Sequence, residues 1–148
     1  MRQLLDQVAM RAADYLDGVR ERRVSPSPEA IAGLNRFIEP LPLGPTAPEQ
    51  VLGLLDEAGS PATMAMAGPR FFGFVIGGAV PAALAANWLA GAWDQNAGLF
   101  AASPVSAVLE EVALDWLIDA LGLPAGCGGA FVTGATVANM TALAAARH

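Results

Sequence analysis

The sequence predicts an α/β protein: a mostly helical N-terminal arm over residues 1–78, then the start of a larger strand-and-helix domain over residues 79–148, truncated. Two observations carry this reading. Charge is unevenly spread, with 15 of the 22 charged side chains in residues 1–57 and only seven in the remainder. The first part can be solvated by itself, whereas the second must bury most of its surface against something. The other observation is a short apolar run, Ala130 to Thr133, that passes through Gly134 into an alanine-rich helical pattern. That is a strand, a turn and a helix in succession.

The first element is predicted as a helix over residues 3–23, because Leu4, Val8, Tyr15 and Val19 fall on one stripe. Arg20, Arg22 and Arg23 then lie at its C-terminal end, where cations complement the helix dipole. Ser25, Pro26, Ser27 and Pro28 break it, and a short helix follows over residues 28–37. Pro40, Pro42, Pro45 and Pro48 force an extended connection. Thr46 and Glu49 have capping-box spacing before Val51, Leu54 and Leu55, which predicts a helix over residues 47–58. Short helices joined by proline-rich linkers make a poor independent core and suit an arm wrapped over another surface.

Residues 71–93 carry no charge in 23 positions, long enough for a membrane span. Gly73, Gly77, Gly78, Pro81 and Asn87 interrupt the stretch and no basic cluster flanks it, so no membrane partner is expected. The parse is a loop or short strand over residues 71–76, a turn at Gly77 and Gly78, and a buried helix from Pro81 to about Ala92. A further helix starts at the potential cap Ser103 with Pro104 in first position and stops at Gly122. Val105, Val108, Leu109, Val112 and Trp116 form its expected buried face, and Glu111, Asp115 and Asp119 a solvated acidic stripe rather than a metal site. The last helix starts near Thr136, and the chain stops at Arg147 and His148 as if in mid-helix.

Several functions are excluded by composition. A net charge of −6 with no clustered basic surface speaks against nucleic acid. One cysteine, Cys127, forms no internal disulfide, and without a signal-peptide pattern a cytoplasmic location is expected. A single histidine, His148, and that cysteine build neither a zinc site nor a Cys-His pair, so no metal and no catalytic residue is assigned. All eight basic residues are arginines. The chain therefore lacks the lysine that a Schiff base or a P-loop requires.

The junction at Thr133, Gly134, Ala135 and Thr136 is the candidate anion site. The first N–H groups of a helix have no internal partners, and its dipole adds roughly half a positive charge there. Gly134 allows close backbone approach, and the two threonine hydroxyls can donate. Residues 129–136 nearly match the P-loop pattern, but Ala135 stands at the lysine position, and the glycine spacing also misses the dinucleotide fingerprint. One phosphate monoester suits this turn better than a di- or triphosphate. The same spacing equally suits a tight turn that holds nothing.

Three stretches together resemble the pyridoxal-phosphate-dependent group II amino-acid decarboxylases, the family of the aromatic amino-acid and glutamate enzymes. They are Gly68-Pro69-Arg70-Phe71-Phe72-Gly73-Phe74-Val75-Ile76-Gly77-Gly78; Trp93-Asp94-Gln95-Asn96 with Ser103, Pro104 and Glu110; and Gly129-Ala130-Phe131-Val132-Thr133-Gly134-Ala135-Thr136-Val137-Ala138-Asn139. The resemblance covers residues 60–148 and implies the N-terminal portion of such an enzyme, with the type I (aspartate aminotransferase-like) fold and an intertwined homodimer around which the arm wraps. It implies pyridoxal 5'-phosphate as cofactor, its phosphate held by Gly134, Ala135 and Thr136. It further implies an amino-acid substrate bordered by Phe72, Phe74 and Asn96. Gly68 departs from the histidine or serine of many relatives, so any role of that side chain is absent. The family's cofactor-bearing lysine, stacking histidine and pyridine-pairing aspartate all fall beyond residue 148. The chain alone is thus expected to be inactive, anchoring the cofactor beside a second copy or the family's C-terminal portion. The alternatives are a non-catalytic oligomerisation module and a membrane-associated hairpin.

Overall fold

The computed structural model describes residues 1–148, which divide into two units, Met1–Pro81 and Ala82–His148. In the first, α1 spans Arg2–Gly18, α2 Pro28–Gly33 and α3 Pro48–Leu54. A 3-10 turn, Leu34–Phe37, extends α2, and a wide π turn, Leu55–Gly59, followed by Ser60–Ala62 extends α3. Ser27 caps α2 by accepting the Ala30 N–H at 3.2 Å, with Pro28 at the first helical position. At α3 the expected capping box does not form: Ala47 is the cap residue, no side chain caps the helix, and Pro48 supplies the start.

Helix α1 ends five residues earlier than the expected Arg23, with Val19 at its C-cap. The arginines beyond it are therefore not helix-end charges, and Arg22 is a tertiary clip. The Arg22 guanidinium lies 4.5 Å from the centre of the Tyr15 ring and donates to the Ser60 carbonyl. Tyr15 in turn shares a 2.8 Å hydrogen bond with the Thr63 hydroxyl. Arg11 pairs with Asp56 at 2.6 Å, and α1 packs on α3. The predicted stripe faces this contact, with Leu4, Val8 and Tyr15 half-buried and Val19 buried. Val19, Ala58 and Ala65 are the buried apolar residues of the unit.

The second unit holds α4 (Pro81–Trp93, its first residue at the boundary), α5 (Pro104–Ala120) and α6 (Ala135–Arg147). Asp94 ends α4 in the left-handed region, φ 49°, which aspartate tolerates better than most residues. No strand forms. Residues 130–132 have no regular structure, because a strand needs a ladder partner and no other segment supplies one. Of the α/β expectation, the structure shows the helical part only. Ser103 stands at the cap position of α5 but does not cap it; its fully buried hydroxyl bonds the Ser106 hydroxyl at 2.8 Å.

The expectation of burial fails here too. Apart from the half-buried Leu84, all of α4 is exposed. The expected buried face of α5 is also open, with Trp116 at 73%. Ser106, Ala107, Ala113, Leu114 and Ile118 are the half-buried positions instead. No two of these three helices are packed along each other. The chain exposes 11,992 Å², whereas two compact globules each of half its mass would expose roughly 8,600 Å². Periodicity identified which faces are apolar, and no element of the second unit covers them.

Candidate phosphate-binding turn

The turn is built from the approach to α6. Gly129 crosses Leu114 of α5 so closely that a Cβ there would come within 2.7 Å of a Leu114 methyl. Residues 130–132 then lead without regular structure to Thr133 and Gly134, which bend into the helix. Gly134 is extended (φ 169°, ψ 171°), a conformation open to any residue, and a Cβ on it would meet nothing within 4 Å. The chain's own packing therefore does not demand glycine at this position. What the glycine leaves is empty space beside the helix start.

The first helical hydrogen bond of α6 runs from the Ala138 N–H to the Gly134 carbonyl at 3.1 Å. The N–H groups of Ala135, Thr136 and Val137 precede it and have no acceptor within the helix. No side chain caps them, and the first turn carries no acidic residue. All of residues 131–148 are exposed. Three converging donors at the positive end of a 13-residue helix, with no carboxylate in that turn, suit one dianionic phosphate. Val137 was missed by the sequence reading, although the third N–H of any helix is equally free.

The other expected site residues fall on both units. Phe72 and Phe74 belong to the first and are 92% and 74% exposed. The turn expected at Gly77 and Gly78 forms instead at Phe74 and Val75, which both have positive φ (60° and 52°). The Phe71 and Phe74 rings lie 6.0 Å apart across it. Asn96 belongs to the second unit, where its Oδ1 accepts the Gly98 N–H at 3.0 Å and so closes a local turn. No group of three or more acidic, histidine or cysteine side chains is placed to hold a metal. A cleft of about 690 Å³ in the first unit includes Arg11, Asp14, Tyr15 and Arg22, but both guanidiniums are already committed to partners within the unit.

The model of the pyridoxal-dependent decarboxylase conserved domain matches residues 45–148, which include the whole turn. The chain belongs to the pyridoxal-dependent decarboxylase family. It is 27% identical to the aromatic-L-amino-acid decarboxylase of Bacillus atrophaeus over 148 residues, all of this chain and 31% of that one. It is 34% identical to the Rattus norvegicus aromatic-L-amino-acid decarboxylase over 145 residues, 91% of this chain and 30% of that one. The crystal structure of Oryza sativa TDC with PLP and tryptamine superposes with a TM-score of 0.71 at 26% identity, covering 83% of this chain and 25% of that one. The chain thus spans about a third of the length of the curated relatives it matches. Pyridoxal phosphate is the cofactor of this family, and the open donors at α6 fit its phosphate.

Proposed function

We propose that this chain is the N-terminal portion of a pyridoxal-phosphate-dependent aromatic amino-acid decarboxylase, and that it holds the cofactor's phosphate at Gly134, Ala135 and Thr136. The start of α6 carries the reading: three unpartnered N–H groups, no acidic side chain in the turn and free space at Gly134, within the segment matched to the family. The Thr136 hydroxyl adds a donor. When bound, pyridoxal phosphate supplies an electron sink for the pair left by CO₂, and the protein's task is to bind and orient it. Phe72, Phe74 and Asn96 form part of the wall of the amino-acid pocket in this reading.

With no lysine the chain offers no covalent hold on the cofactor, so alone it is inactive. Residues 1–78 are the arm and 79–148 the opening of the cofactor domain. The family's C-terminal portion completes the site, with a second copy as dimer partner, in the cytoplasm. The roughly 3,400 Å² of surface beyond that of two compact globules supports such a partner. The same surface favours a second reading, a non-catalytic oligomerisation module built on this fold. No helix is long and apolar enough to cross a membrane.

Titration with pyridoxal phosphate separates the two readings. The proposed enzyme portion binds it, and Thr136→Val weakens binding by about 1–2 kcal/mol, or roughly 5- to 30-fold, the scale of one charge-assisted hydrogen bond. Unchanged affinity in the variant would leave the threonine a purely structural role. Failure of the wild-type chain to bind even with a complementing C-terminal polypeptide would sink the proposal in favour of the module.

A further inference from the structure

We infer that Arg70 is the positioning residue of the aromatic segment 71–76, clasping it to the turn that follows α1. Arg70 is the one basic residue between Arg36 and Arg147. Its partners are not carboxylates. Nη2 donates to the carbonyl of Arg20 at 2.7 Å and to that of Arg22 at 2.5 Å, across 50 and 48 residues of sequence. The carbonyls belong to the turn beyond α1, and Nη2 carries two N–H groups, one for each of them.

Two further contacts bring Arg70 to that place. The Ala65 N–H donates to the Val24 carbonyl at 3.0 Å, which lays the incoming chain beside the turn. Gly68 then passes so close that a Cβ would meet the Ala65 carbonyl at 3.1 Å, the Val19 carbonyl at 3.2 Å and the Val19 Cγ2 at 3.4 Å. Two of these three are main-chain atoms, which do not swing aside. A Cβ at 68 would thus press on two main-chain carbonyls and require the chain to give by a few tenths of an ångström. Immediately beyond the clasp, Phe74 and Val75 hold left-handed backbone, a costly state for a β-branched residue that persists only when its surroundings impose it. Both are exposed, so the restraint comes from the clasp on one side and the Phe71 ring on the other. The aromatic wall is therefore carried by the arm, while the phosphate turn lies on the other unit. The meaning of this for substrate rests on the proposed function; the clasp itself does not.

The test uses the full chain without cofactor. Chymotrypsin cleaves after Phe71, Phe72 and Phe74, and the rate at these bonds is compared with that at Trp116 and Phe131. Arg70→Gln, too short to reach the carbonyls, is expected to speed cleavage at the segment about ten-fold, as for loss of one charge-assisted restraint on local opening. Arg70→Lys, still able to donate, is expected to stay within about three-fold of wild type. Gly68→Ala is the second variant and is expected to free the same bonds by pushing the chain off Val19. Unchanged rates in both Arg70→Gln and Gly68→Ala overturn the inference, as does equal acceleration at Trp116 and Phe131, which would mean general loosening. Pyridoxal phosphate affinity, measured on the same variants, is expected to be that of wild type. A chain that never binds the cofactor yet shows site-selective cleavage loses the functional reading and keeps the clasp.

Discussion

Replacing Ala135 with proline removes one backbone donor from the proposed phosphate-binding turn while leaving the helix intact. Ala135 is the first residue of α6, and its N–H has no acceptor in the helix because the first bond is made by Ala138. Proline is well tolerated at that position, since its fixed φ is already helical and the N–H it lacks was unused. It also requires the preceding residue to be extended, and Gly134 already is, at φ 169° and ψ 171°. The variant should therefore keep its helical circular dichroism. Binding should suffer, because one of three N–H donors to a dianion is gone and its loss costs about 1–2 kcal/mol, roughly a 5- to 30-fold rise in Kd. Phosphorus-31 NMR or calorimetric titration with pyridoxal phosphate would measure this. Wild-type affinity in a folded Ala135→Pro chain would refute the reasoning, because the phosphate would then not be held by the helix start.

Other expectations follow from the same geometry. Tyr15→Phe removes the 2.8 Å bond to Thr63 but keeps the ring under Arg22, so a loss of about 0.5–1.5 kcal/mol is expected in urea unfolding followed at the first unit. Hydrogen bonds from its own backbone N–H and from Ser27, helped by the charge of Arg23, hold the Glu29 carboxyl below the usual carboxylate range. Its contribution to α2 is accordingly present above the unfolded carboxylate pKa and lost as pH falls through the lower folded value, which an NMR titration of Glu29 and Ala30 would follow. Trp116, 73% exposed, should be readily quenched by acrylamide in the chain alone and become shielded when a complementing polypeptide is added. Quenching that the addition leaves unchanged would argue against α5 being a covered face.

Much of the local structure was legible because it depends on neighbours a few residues apart. Pro28, Pro81 and Pro104 each mark a helix start, since proline's fixed φ and missing N–H act locally, whereas Pro48, read as part of the extended connection, opens α3. The stripe of Leu4, Val8, Tyr15 and Val19 was legible for the same reason, and so was the start of α6. Where the reading failed, a distant partner was needed. Thr46 and Ser103 had capping spacing yet made no cap, Arg22 bonded Ser60 rather than a helix end, and Gly77 and Gly78 gave up the turn to Phe74 and Val75.

The sequence by itself therefore determined the helices, the free N–H groups at the start of α6 and the absence of any lysine. Only the tertiary structure decided that the strand before Gly134 does not form, that α4 and the apolar face of α5 stand open, and that Arg70 bonds the carbonyls of the turn after α1. The division has one physical cause. Dihedral preferences and helix-end donors are properties of adjacent residues, whereas a ladder, a buried face and a carbonyl clasp each need a surface that arrives from elsewhere in the chain or from beyond it.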